Sequence, residues 1–270
     1  MPEGDTIFRT AAALRGYLEG RRVLAARARV PGPRMEKVVG ATVTRLEPRG
    51  KHLVIHFDNG LALHTHLRMG GSWHRYAPGE PWRRAASQAR VVLEVADSVV
   101  VCFNAPVAEL MAEATVERHP SLATLGPDLL APGFDADEAV RRLRAPERAG
   151  LSLAEALLDQ RAMAGVGNVF KSEVLFIERL DPSLTLAATS DATLRQMVAT
   201  AERLLRANVS PDRAFRVTTD ASAGGSRTWV YGRAGRPCLR CGAQIRRAHH
   251  GDPRRSTYWC PRCQNPTGSV

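Results

Sequence analysis

Four of the chain's cysteines form two CxxC knuckles, Cys238 with Cys241 and Cys260 with Cys263, set eighteen residues apart. No other feature constrains the fold as tightly. Each knuckle presents two thiolates from a tight turn, and four thiolates close a tetrahedral shell around zinc. A closed shell leaves no position for a substrate water, so an ion held there is structural. The other use of four cysteines is two disulfides. Against it, the sequence has no basic start followed by an apolar run, the mark of export to an oxidising compartment. The expectation is therefore one zinc ion. A module this small cannot bury a core of its own, and the metal supplies much of its folding energy. Trp229, Tyr231, Tyr258 and Trp259 flank the knuckles. They are expected to pack a two-stranded hairpin with Arg254 and Arg255 on its loop. The fifth cysteine, Cys102, lies in the apolar run VVVCFN and reads as buried packing.

The same tail is strongly basic. From residue 211 onward it carries eleven Arg, three Asp and no Lys or Glu, a net +8 of the chain's +11. Arg makes forked, planar contacts to phosphate, whereas Lys is a point charge. An Arg-only tail points to a polyanion, with nucleic acid the first candidate; a solvated basic face is the plainer reading. The longest stretch without a formally charged residue is residues 98–108, far short of a membrane span. At 44% apolar and 24% charged the chain reads as a soluble, cytoplasmic protein.

Periodicity divides the chain. Residues 1–15 read as an amphipathic helix, with Ile7, Ala11 and Leu14 on one face. Strand-like runs follow at 23–30, 41–47, 52–57, 61–66 and 90–103, punctuated by Gly and Pro; FDNG between two of them is a hairpin signal. This front part reads as a β-sandwich. After LGPDLLAPGFD the period becomes helical. Asp135 with Glu138, and Ser152 with Glu155, have capping-box spacing. LSLAEALLDQ and VGNVFKSEVLFIERL read as two apolar helices joined by RAMAG, and residues 192–207 as a third. The expected fold is α+β in two domains, a β-sandwich with an N-terminal helix and a helical domain ending in a metal hairpin. Expected bounds are 1–125, 126–225 and 226–270, the last being the hairpin module.

Two short motifs carry chemistry. In GVGN, Gly165 and Gly167 let a partner approach the backbone, and Asn168 opens a helix whose N–H groups and dipole favour an anion. By itself this reads as an ordinary helical hairpin with Asn168 as cap. At the other end, Met before a small residue is usually removed, which leaves Pro2 as a secondary amine. An α-amino group titrates near ~8, so a useful fraction is neutral and nucleophilic at pH 7. Glu3 can move a proton beside it, and Lys51 in RGKHL is a second amine. The residues alone do not bring these three together, and by themselves they read as an inert chain end.

Taken in order, PEG, RGKHL, LLDQ…GVGNVFKSE, VYGRAGRPCLRCG and RRSTYWCPRCQ resemble the formamidopyrimidine-DNA glycosylase and endonuclease VIII family of base-excision repair enzymes over essentially the whole chain. The resemblance implies a β-sandwich, a helix–two-turn–helix and a zinc finger. It also implies roles: Pro2 as the nucleophile that forms a Schiff base at C1′, Glu3 as acid/base, and Lys51 as proton donor and phosphate contact. Asn168 and Arg255 are implied to grip the phosphate, with Arg255 linked to δ-elimination. Met69 in HLRMGG, with Arg68 beside it, is similar to the void-filling position; a buried turn methionine is the alternative. Cys238, Cys241, Cys260 and Cys263 are implied to hold zinc. The implied partner is damaged double-stranded DNA, with single-stranded DNA also open, bound by a monomer in the nucleoid.

The start PEGDT, and FNAPVAELM at a loop position where the oxoguanine branch carries an Arg and a Phe, resemble the endonuclease VIII branch, which removes oxidised pyrimidines. Thr124 before LGPD and the stretch HLRMGG depart from that pattern. An oxoguanine glycosylase and a non-catalytic damage-binding protein are the competing readings.

Overall fold

The computed structural model describes residues 2–29, 31–210, 215–250 and 255–265. The chain forms two compact units, residues 1–124 and 125–270.

The first unit opens with helix α1 (Gly4–Leu18), whose Ile7, Ala11, Leu14 and Leu18 are buried. Eight strands follow: β1 (Ala25–Ala28), β2 (Val43–Arg49), β3 (His52–Phe57), β4 (Leu61–His66), β5 (Ser72–Tyr76), β6 (Ala89–Val95), β7 (Ser98–Phe103) and β8 (Val107–Ala112). They pair antiparallel in two sheets, ordered β1-β6-β7-β5 and β2-β3-β4-β8. Alternation along β3 sends Leu53, Ile55 and Phe57 into the core, where they join Val91, Leu93, Val100 and Cys102 of the other sheet and the buried face of α1. Cys102 is thus core packing, and burial pushes its thiol well up. Gly60, at φ 75°, closes the three-residue FDNG turn between β3 and β4.

Three strand assignments differ from the sequence reading, and the first is β5 (Ser72–Tyr76), a strand that none of the runs read from the sequence covers. The run at 90–103 is two strands, because Ala96 and Asp97 turn the chain and set Val95 opposite Ser98. Residues 107–111 of FNAPVAELM are not a loop but, with Ala112, form edge strand β8, paired along β4 from Leu61 to His66. The strand is only partly buried, so its apolar alternation is weak. A short 3-10 helix (Glu113–Arg118) and the single turn α2 (Pro120–Ala123) complete this unit.

The second unit holds α3 (Ala136–Leu143), α4 (Leu153–Ala156), α5 (Asn168–Ile177), α6 (Asp191–Ala207) and the hairpin β9 (Arg246–His250) with β10 (Arg255–Trp259). Ser152 and Glu155 form the full reciprocal capping box. Asp135 caps α3 by accepting the Glu138 N–H at 2.9 Å, but the Glu138 carboxylate turns to Arg141 and Arg142 at 2.7 and 2.6 Å instead of completing the box. LSLAEALLDQ is one helical turn and not a longer helix. After it, Gln160 takes over the backbone: its Nε2 donates to Leu158 and Val166 carbonyls at 2.9 and 3.1 Å, and its Oε1 accepts the Gly165 N–H at 3.1 Å. Gly165, at φ 114°, makes the turn that a β-carbon would strain.

The tail packs onto α5 around Phe176, Trp229, Val230, Ile245 and the cysteines. Its anchor is Glu173, fully buried, which accepts backbone N–H groups of Trp229, Val230 and Tyr231 at 2.7, 2.9 and 2.8 Å and the Thr218 hydroxyl. Burial pushes this carboxyl up, against the pull of those four donors. Trp229 stacks on Phe176 with ring centroids 5.6 Å apart.

Candidate functional site

Pro2 and Glu3 lie at the start of α1. Glu3 is the N-cap and is fully buried; its carbonyl accepts the Thr6 and Ile7 N–H groups at 2.9 and 3.1 Å. Glu3 thus occupies the N-terminal, positive end of the helix dipole. Met1, whose removal the Pro2 reading requires, lies outside the described residues.

Lys51 occupies the two-residue turn between β2 and β3, where Arg49 pairs with His52. Gly50 sits first in that turn at φ 55°, the position a Gly-X hairpin loop reserves for glycine. His52 pairs across to His66, which ends β4, so the Lys51 turn and the stretch from Leu67 to Gly70 share one end of the sheet. Sheet register thus brings Lys51, Arg68 and Met69 to a common edge. Arg68 adopts φ 45°, and Met69 beside it is 74% exposed, which overturns the buried-methionine alternative. A glycine is required at position 71, because a β-carbon there would lie 2.6 Å from the Leu67 carbonyl oxygen.

Behind this edge lies a histidine cluster that sequence reasoning missed. His52 Nδ1 and His64 Nε2 are 2.8 Å apart, and His66 packs edge-on to His52. The two-residue spacing of His64 and His66 in β4, with His52 at the start of β3, was the available signal. Burial, with neighbouring histidines and Lys51 adding to it, pushes His52 down to about 2. Burial and the Lys51 and Arg68 cations push His66 down to about 4. In the unfolded chain both titrate near ~6.5. Below that pH the unfolded chain binds more protons than the folded one, so the stability these neutral rings contribute is complete above ~6.5 and is lost as pH falls. Urea unfolding of the wild type should lose about 2–4 kcal/mol between pH 7 and pH 5. His52→Phe should flatten that slope; a wild-type midpoint unchanged over this range would contradict the neutral cluster.

In the second unit, Gly167 is the N-cap of α5 and Asn168 its first residue, so the cap is the glycine and not Asn168. Lys171, fully buried one turn on, links Asn168 to strand β10. Its Nζ donates to Asn168 Oδ1 at 3.3 Å, to the Ser256 carbonyl at 3.0 Å and to Thr257 Oγ1 at 2.9 Å. Asn168 is thereby tied to the two residues that follow Arg255. No spacing rule flags Lys171, because a lysine in an apolar helix reads as solvated until its partners are seen. Arg255 is exposed and opens β10 opposite His250, so it stands on the strand and not on the loop. Arg254 lies outside the described residues.

The tail's arginines are not all available to a ligand. Arg233 is buried and donates to the Trp229 and Pro237 carbonyls. Arg240 lies over Phe176 and Trp229, 4.4 and 5.0 Å from the ring centroids.

The four knuckle sulfurs lie within 4.8 Å of one another. The Cys238–Cys263 and Cys241–Cys260 separations are 3.9 and 3.4 Å, too long for disulfide bonds, and all four cysteines are free thiols. Zinc–sulfur bonds of about 2.3 Å in a tetrahedron set sulfurs about 3.8 Å apart. The donor set and its spacing fit a metal ion. No helix among the described residues is long and apolar enough to cross a membrane.

Residues 1–107 match the formamidopyrimidine-DNA glycosylase N-terminal domain, and residues 125–219 match the H2TH domain of that family. A "Probable endonuclease 8 2" of Streptomyces coelicolor is 44% identical over 98% of this chain and 94% of its own length. A "DNA-(apurinic or apyrimidinic site) lyase Nei2" of Mycolicibacterium smegmatis is 40% identical over 98% of this chain and 99% of its own. Among solved structures, a Lactococcus lactis formamidopyrimidine-DNA glycosylase in complex with N7-benzyl-Fapy-dG DNA shares the fold, with TM-score 0.80 at 22% identity over 98% of this chain and 100% of that one. With both family domains in order and close relatives matched end to end, the chain belongs to the formamidopyrimidine-DNA glycosylase and endonuclease VIII family.

Proposed function

We propose that this chain is a bifunctional DNA glycosylase and abasic-site lyase of base-excision repair that removes oxidised pyrimidines. One observation carries the reading: end-to-end similarity, at 40% identity, to a relative named a DNA-(apurinic or apyrimidinic site) lyase, in a chain that places Pro2 directly before a buried Glu3. The relative named "Probable endonuclease 8 2" supports the pyrimidine branch over the oxoguanine branch.

The damaged nucleotide leaves the stack at a cost of a few kcal/mol, and exposed Met69, with Arg68 beside it, fills the gap. Pro2, freed by loss of Met1, attacks C1′; the bond to the base breaks, and an iminium forms between the proline nitrogen and C1′. Glu3 carries the proton that lets the sugar ring open and the base depart. Lys51 supplies a proton during β-elimination and contacts the phosphate. Asn168, its carbonyl held by Lys171, offers its amide NH2 to the phosphate beside the lesion, together with Arg255. Arg255 also serves δ-elimination. Cys238, Cys241, Cys260 and Cys263 hold zinc, and the bound ion cross-links the two knuckles without taking part in the chemistry. The substrate is damaged duplex DNA, and the enzyme acts as a monomer.

Borohydride should trap a covalent adduct on thymine-glycol and abasic duplexes. No adduct on either would remove the proposal and favour a non-catalytic binder. Strong preference for 8-oxoguanine opposite dC in a lesion panel would overturn the pyrimidine assignment alone. Arg255→Ala should weaken binding to every duplex alike, lower the slope of log affinity against log salt by roughly one, and reduce strand cleavage with it. A binding curve unchanged across salt would count against its phosphate contact.

A further inference from the structure

His64 on β4 and Glu109 on β8 are direct cross-strand partners, and His119, the N-cap of α2, folds back over them. His64 Nδ1 and His119 Nε2 converge on the same oxygen, Glu109 Oε2, at 3.2 and 3.0 Å. All three atoms lie within 4.8 Å of one another. A tetrahedral ion with bonds of about 2.0–2.1 Å sets its ligand atoms about 3.3 Å apart, close to these two separations. The three side chains come from a strand, its neighbour and a helix start, so the backbone already holds them in place.

We infer that His64, Glu109 and His119 form a second metal site, separate from the four cysteines, for a divalent transition ion such as zinc. Two imidazoles and one carboxylate select borderline ions over magnesium or calcium. Three protein ligands leave one position for water, and the Glu109 side chain, 50% exposed, opens that position to solvent. His52 supplies the outer support: its Nδ1 meets the remaining nitrogen of His64 at 2.8 Å and fixes the ring. One contact opposes the ion. The Ser121 N–H donates to His119 Nδ1 at 3.3 Å, and a ring that binds metal through Nε2 carries its proton on Nδ1. Loading gives up that hydrogen bond, so this site binds more weakly than four thiolates.

Titration of the purified full chain with zinc, read by elemental analysis after desalting and by calorimetry, tests the assignment. The wild type should take two ions per chain, and Glu109→Ala and His119→Ala one. With cobalt, the tight site should show intense thiolate charge-transfer bands. The second equivalent should add only weak visible bands, absent from both variants. Circular dichroism confirms that each variant is folded, and Glu109→Gln gives a further variant that keeps the side chain's size. A single ion per wild-type chain at saturating zinc would overturn the site, as would a second ion retained in all three variants.

Discussion

Blocking the N-terminal amine should abolish strand cleavage while leaving DNA binding largely intact. A one-residue extension that keeps Met1, or a Pro2→Gly change, acts at the proposed nucleophile and nowhere in the core, since Pro2 precedes α1 and the helix is held by Ile7, Ala11, Leu14 and Leu18. Loss of a covalent step typically removes most of an enzyme's rate, so the extended chain should cleave abasic duplex at least roughly a thousandfold more slowly. Borohydride trapping should vanish with it, while a gel-shift titration moves little. Pro2→Gly retains a primary amine, so its residual trapping measures how much the secondary amine itself contributes. Undiminished cleavage by a chain shown by mass spectrometry to carry Met1 would exclude the proline as nucleophile.

Removing the metal from the cysteine knuckles should have the next largest effect. In Cys260→Ser, or after chelation, the tail would lose the cross-link that the proposed ion makes between its knuckles and keep only its packing on α5. Zinc contributes on the order of 10 kcal/mol to isolated finger folding at neutral pH. Hydrogen exchange should show β9, β10 and the Trp229–Tyr231 segment opening together, because Glu173 holds that segment by three backbone N–H groups. The first unit, which has its own core, should keep its protection. DNA affinity should fall by roughly tenfold or more as Arg255 and its neighbours lose their placement. Full protection of the hairpin in metal-free protein would show that packing on α5 suffices without the ion.

Much of this was legible along the chain. Knuckle spacing announced a four-thiolate cluster. Two-residue alternation marked β3 and β4 to the residue, and the apolar stripe of 192–207 marked α6 (Asp191–Ala207) to within one residue. These signals are local: a turn, a face or a cap is encoded by residues within a few positions of one another. Reading failed where a long-range partner decides. LSLAEALLDQ has helical composition, yet it stops after one turn because Gln160 offers its backbone other hydrogen bonds. Strand β8 looks like a loop until β4 pairs with it.

The sequence by itself determined which chemistry the chain can offer: an amine-forming start, a lysine on a glycine turn, an asparagine at a helix opening and four thiolates. Residue type and short spacing are enough for that, because each depends on covalent order. Tertiary structure alone decided which groups meet. Lys171 reaches from Asn168 to Ser256 and Thr257, eighty-five and eighty-six residues onward, and Glu109 gathers His64 and His119 from two other elements. A buried ammonium or imidazole persists only where the fold supplies its partners, and those partners are set by packing across the chain.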